Sequence, residues 1–189
     1  MSHEPWPAPP PPWRPRRPPP GGWVPRPARQ PGGRPPAPGE LARVQAFVNT
    51  ANLELEDDLL ATTDWFGSPV DLRRAVAVRE ALRALLAHHN GASLDPRAAP
   101  TLDRAARRAR VSLRVDEAAR TELRSADPLG DLLAVVHRAE ATGTWRRLKV
   151  CQQCGWAFYD ASRNRSGRWC SMLVCGGRVK RRAYRERHP

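Results

Sequence analysis

Cys151, Cys154, Cys170 and Cys175 are the only cysteines of this 189-residue chain. A C-x2-C knuckle followed by a second pair has the spacing of a tetrahedral four-thiolate zinc site, because the short knuckle places two sulfurs on one side of a metal. With four thiolates such a site is coordinatively closed, so one structural Zn²⁺ is expected rather than a catalytic one. The metal would fold a segment too small to hold itself together by burial. Two disulfides could use the same residues, but Met1-Ser-His-Glu-Pro-Trp has neither the basic nor the apolar stretch of a secretory signal. A redox C-x-x-C would need a thioredoxin-like setting, which the sequence does not offer. His137 and His188 are alternative ligands that four cysteines in register make unnecessary.

The second chemical resource is charge. The net charge is +13. Residues 1–39 carry six arginines against one glutamate, residues 40–144 fourteen basic against sixteen acidic groups, and residues 145–189 twelve basic against two acidic. The cysteine segment therefore holds most of the excess, nearly all as Arg, whose planar fork suits phosphate and guanine. GC-rich coding also favours Arg, Ala and Pro. Arg163, Arg165 and Arg168 lie between the cysteine pairs; Arg178, Lys180, Arg181, Arg182, Arg185 and Arg187 follow the last cysteine. Such a surface binds nucleic-acid phosphate through counterion release. Arg178, near the start of the last helix, is best placed to reach guanine. Trp156 and Trp169 could stack on unpaired bases, although aromatic residues beside a zinc knuckle more often form its core.

The elements that must position these groups follow from periodicity. Residues 1–39 are dominated by Pro, with Trp6, Trp13 and Trp23, and read as a disordered or polyproline-like tail. Pro9–Pro12 could dock a proline-reading partner. From Glu40 to about Leu60, Leu41, Val44, Phe47, Val48 and Ala51 share a helical face. Ser68-Pro69-Val70-Asp71 reads as cap and first turn of a second helix, with Leu72, Ala75, Val76, Leu82, Leu85 and Leu86 inward and a stop at Asn90-Gly91. A third helix runs from Pro100 to about Ala109. Val111, Leu113 and Val115 alternate as a short strand, and Asp127-Pro128 caps a further helix to about Thr142. Trp156, Phe158 and Tyr159 supply an aromatic core over the metal, with Trp145 and Leu148 leading in. The fold expected is mainly α: a helical domain over 40–144, with a short β-hairpin, then a four-cysteine zinc-finger domain over 145–189 ending in a basic helix. No apolar run is long enough to span a membrane.

Cys151-Gln-Gln-Cys154-Gly-Trp-x-Phe-x-Asp160-x-Ser162-Arg-Asn-Arg, then Arg168-Trp169-Cys170-Ser-Met and Cys175-Gly-Gly-Arg178-x-Lys180, resembles the CGNR zinc finger. Upstream, Phe47-Val-Asn-Thr50, Arg79-Glu-Ala-Leu-Arg-Ala-Leu-Leu86 and His89-Asn-Gly91 are similar to the ABATE domain that usually precedes that finger. The resemblance implies a bacterial stress-induced transcription regulator with the finger as its DNA-binding module. Two positions depart from the pattern: Gly177 stands where the name motif has Asn, and Gly167 where a basic residue is usual. If the motif's Asn caps the last helix, Gly can replace it at small cost.

The function expected is a cytoplasmic, zinc-dependent, non-enzymatic regulator that binds duplex DNA. RNA or single-strand binding and a protein-interaction adaptor are the alternatives. The helical domain is left to dimerise or to sense a small-molecule effector. Asn49, Asn52, Glu54 and Asp57 could line its pocket, although capping and solvation explain them more simply.

Overall fold

The structure, a computed structural model, describes residues 30–62, 65–67 and 69–188. Among them are six α-helices: α1 (Leu41–Val48), α2 (Leu59–Thr62), α3 (Leu72–His88), α4 (Ala98–Arg108), α5 (Pro128–Ala141) and α6 (Gly177–Arg187). Three antiparallel ribbons complete the order: β1 (Ala51–Asn52) with β2 (Asp57–Asp58), β3 (Ser112–Val115) with β4 (Thr121–Arg124), and β5 (Leu148–Val150) with β6 (Ala157–Tyr159). The chain is therefore mainly α, and no described helix is long and apolar enough to cross a membrane.

Helical periodicity puts Val44, Phe47 and Val48 of α1 against Val78, Leu82 and Leu86 of α3 and Leu129, Leu132 and Val135 of α5. Each fully buried Leu or Phe here contributes roughly 1.5–3 kcal/mol. Trp145, Leu148, Val150 and Ala157 belong to this same cluster, so β5 and β6 share the core of the helices. Asp127 caps α5 as expected, its side chain accepting from the Leu129 amide, with Pro128 opening the first turn.

Several boundaries differ from the sequence expectation, each for a local reason. The first helix ends at Val48 instead of continuing to Leu60. Polar side chains there compete with the helix for backbone groups. Asn52 Oδ1 accepts from the amides of Glu54 and Leu55 at 3.1 and 3.2 Å, and Glu56 takes a positive φ of 53°, which together close the β1–β2 turn. In α3 the cap is Asp71, accepting from the Arg74 amide at 3.3 Å; Pro69 precedes the helix, Leu72 is exposed, and Ser68 lies outside the described residues. The expected strand begins at Ser112, after Val111, and is one arm of a β3–β4 hairpin that sets Leu113 opposite Leu123.

The expected tail splits. Residues 1–29, with the three tryptophans and the proline run, lie outside the described residues. Residues 30–39 are an ordered strap. Ala37 is buried and its amide donates to Gln45 Oε1 at 2.7 Å.

Candidate metal centre and nucleic-acid interface

Cys151 follows β5, Cys154 ends the knuckle, Cys170 follows the basic loop, and Cys175 sits in a π-helical turn (Met172–Gly176) that runs straight into α6. The tight knuckle needs Gly155: its φ is 72°, its amide donates to Cys151 O at 3.0 Å, and a Cβ there would meet Leu53 Cδ1 at 2.6 Å. The four Sγ atoms lie within 4.8 Å of one another, with Cys154–Cys170 and Cys170–Cys175 each at 3.6 Å. Zinc–sulfur bonds of about 2.3 Å at tetrahedral angles put neighbouring sulfurs about 3.8 Å apart, so the donor set fits one Zn²⁺.

The thiols oppose one another's ionisation. Hydrogen bonds from Cys154 and Cys170 hold Cys151 well below the ordinary thiol range. The same interaction with Cys151 pushes Cys154 up to about 12 and Cys170 up as well, while burial raises Cys175. One negative charge is tolerated; four require a dication among them. Zinc here supplies structure by neutralising four thiolates at once.

Phe158 is fully buried under the cysteines, with Trp156 and Trp169 half-buried beside it. The expected Tyr159 packs instead on the helical core, as do Trp145 and Leu148. Strand alternation explains this: Phe158 faces the metal, so its neighbours Ala157 and Tyr159 face the helices. The strap closes the remaining side. Arg34 Nε donates to Cys170 O at 3.0 Å, its guanidinium lies 4.8 Å from the Phe158 ring centre, and Gln30 Oε1 accepts from Trp156 Nε1 at 3.2 Å.

Two buried groups organise the basic loop, and sequence reasoning assigned neither a role. Asp160 is completely buried. It accepts from Lys149 Nζ at 2.9 Å, Ser162 Oγ at 2.6 Å, and the amides of Ser162 and Gly167 at 3.1 and 2.8 Å. Burial pushes its carboxyl upward, but the hydrogen bonds from Ser162, Lys149 and Gly167 win and hold it near 2. Lys149 Nζ also donates to the carbonyls of Arg165 and Gly167 at 2.5 and 3.2 Å. This geometry accounts for Gly167, since a Cβ there would lie 2.9 Å from Asp160 Oδ2. A buried lysine in a strand named the pair only once the fold was known.

Polar residues of α1 and α3 and of the segments that follow them clamp the finger. Asn49 Oδ1 accepts from the Ala157 amide at 2.7 Å while its Nδ2 donates to the Ala157 carbonyl at 2.9 Å, a side chain acting as one more strand. Gln45 Nε2 reaches the same carbonyl at 3.1 Å. Arg83 donates to Gly155 O at 2.7 Å and to Val48 O at 2.6 Å. Asn90 Nδ2 donates to Val150 O and Arg168 O at 2.7 and 2.9 Å. His89 Nδ1 donates to Leu148 O at 2.9 Å, and burial lowers the pKa of the ring against that bond. Asn49 is thus spent on the finger, Asn52 on its turn and Glu54 on Arg178, and Asp57 is exposed; the four do not line a common pocket. Asn49→Ala should cost about 2–4 kcal/mol, because it removes two buried hydrogen bonds and strands the Ala157 amide. Urea unfolding of the zinc-loaded protein checks this; an unchanged midpoint would contradict it.

Arg163, Arg165, Arg168, Arg178, Lys180, Arg181, Arg182 and Arg185 are all exposed. Arg178 forms an ion pair with Glu54 of the β1–β2 turn. Exposed pairs are worth about 0–1 kcal/mol, so phosphate can compete for it. Position 177 is not a cap: Gly176 and Gly177 are both helical, and Ser171 caps the continuous turn by accepting from the Val174 amide at 3.2 Å.

No curated protein matches the chain. The family model of the CGNR zinc finger matches residues 147–188, the segment that carries all four thiols and holds one structural zinc.

Proposed function

We propose that the protein is a zinc-dependent, non-enzymatic regulator that binds duplex DNA through this finger. The observation carrying the reading is that nine cationic side chains, Arg187 included, are exposed on two elements tied to one metal core. The loop is pinned through Lys149 and Asp160, and α6 through Cys175. Charge fixed in position can follow a phosphate backbone, whereas the same charge on a free coil would only attract it. The half-buried tryptophans, one of them bonded to Gln30, favour duplex over unpaired substrate. The ABATE-like residues support a helical part that holds the finger's orientation while dimerising or responding to an effector.

Titration of random duplex DNA across a salt series tests this. Six to eight phosphate contacts predict a log–log slope of about −5 to −7. Arg181→Ala/Arg182→Ala should make that slope shallower by about 2. A zinc-loaded protein whose duplex binding is absent or insensitive to salt would overturn the proposal.

A further inference from the structure

The π turn before α6 presents three successive apolar side chains to solvent: Met172 at 53 %, Leu173 at 87 % and Val174 at 47 % exposure. The protein's own core uses only Cys175 and Gly176 of this turn. Contiguous exposed apolar residues mark contact surfaces, and π turns recur at functional sites. The support is rigid. Ser171 caps the turn, the Gly176 amide donates to Ser171 O at 3.0 Å, and Cys175 ties it to the metal core.

Cations frame the apolar tip. The Arg181 guanidinium comes within 3.6 Å of where a side chain on Gly177 would begin, and the Met172 carbonyl lies 3.8 Å from the same point. Arg178 follows immediately. An apolar tip that leads directly into a helix of exposed arginines complements a polyanion whose interior is apolar, which describes stacked base pairs.

We propose that Leu173, flanked by Met172 and Val174, is a wedge that inserts at a base step of duplex DNA while Arg178, Arg181 and Arg182 hold the adjacent phosphates. This rests on the duplex-binding reading above. Pyrimidine–purine steps are the preferred targets because they unstack most easily.

The test uses the zinc-loaded full chain and a short duplex carrying 2-aminopurine at a TA step. Binding by the wild type brightens the probe as the base unstacks. Leu173→Ala abolishes the brightening and weakens binding about tenfold. It leaves the salt slope unchanged, since no charge is removed. Leu173→Phe retains the brightening. Leu173 is too exposed for either change to alter zinc content or folding. A wild-type complex that never brightens, or a Leu173→Ala protein with undiminished affinity and brightening, overturns the wedge while leaving duplex binding intact; the apolar turn would then serve a protein partner. No duplex binding by zinc-loaded wild type overturns both proposals.

Discussion

Serine at Cys151 should strip the protein of zinc and unfold the segment from β5 to α6. The finger's own apolar core is Phe158 with two half-buried tryptophans, far too little to offset the ordering of some forty residues. Structural zinc supplies about 10–16 kcal/mol of apparent binding free energy in such modules, comparable to the total stability of a domain. The damage should spread beyond the finger. Leu148, Val150 and Ala157 sit in the helical core, so losing the β5–β6 ribbon exposes faces of α1 and α3. Expected together are a zinc-to-protein ratio falling from one to zero, loss of ellipticity from α6, and a lower Tm for the remaining helices. Chelation of the wild type should reproduce all three. A metal-free protein with unchanged helicity and Tm would show that packing alone holds the finger.

Lys149→Ala should destabilise the zinc-loaded protein by about 1–3 kcal/mol, because buried Asp160 loses its nearer cation and keeps Arg34 at 4.0 Å. Lys149 is 5 % exposed and Asp160 fully buried, so neither can recover hydration by a small movement. The loop carbonyls of Arg165 and Gly167 lose their donor as well, and the 162–168 loop should become susceptible to proteolysis. Asp160→Asn should be costly too: its one amide oxygen can keep the two Ser162 donors, but the amide NH2 then faces the Gly167 amide and Lys149 Nζ, both of them donors. The pH dependence has a definite sign. A carboxyl held near 2, below the ordinary 3.8, contributes stability that is complete above 3.8 and fades only as pH falls toward 2. The Asp160→Asn deficit should therefore be flat above about pH 5, the range in which zinc thiolates survive. A deficit that changes between neutral pH and that limit would assign the titration to another group. A double-mutant cycle with Lys149→Met would separate the pair from its surroundings.

The legible parts of this chain were those whose chemistry is local. Four cysteines in register name their ligand, and Asp127-Pro128 opens α5 because capping involves only the next few residues. The misjudged first helix shows the opposite case. Leu41 through Ala51 fits a helical stripe, yet Asn49 leaves the helix to pair with Ala157, over a hundred residues away. No local pattern weighs that competitor.

By itself the sequence determined the metal, the ligand set, the mainly helical class and the sign and location of the charge, because thiolate spacing, apolar period and arginine content act at short range. Only the tertiary structure decided that residues 30–39 strap the finger, that Asn49, Arg83 and Asn90 clamp it to the helices, and that Lys149 and Asp160 hold the basic loop. These are buried polar contacts between distant segments. Each polar residue there has solvent, a turn or a partner as equivalent outlets until the chain has folded, and burial then leaves only the partner.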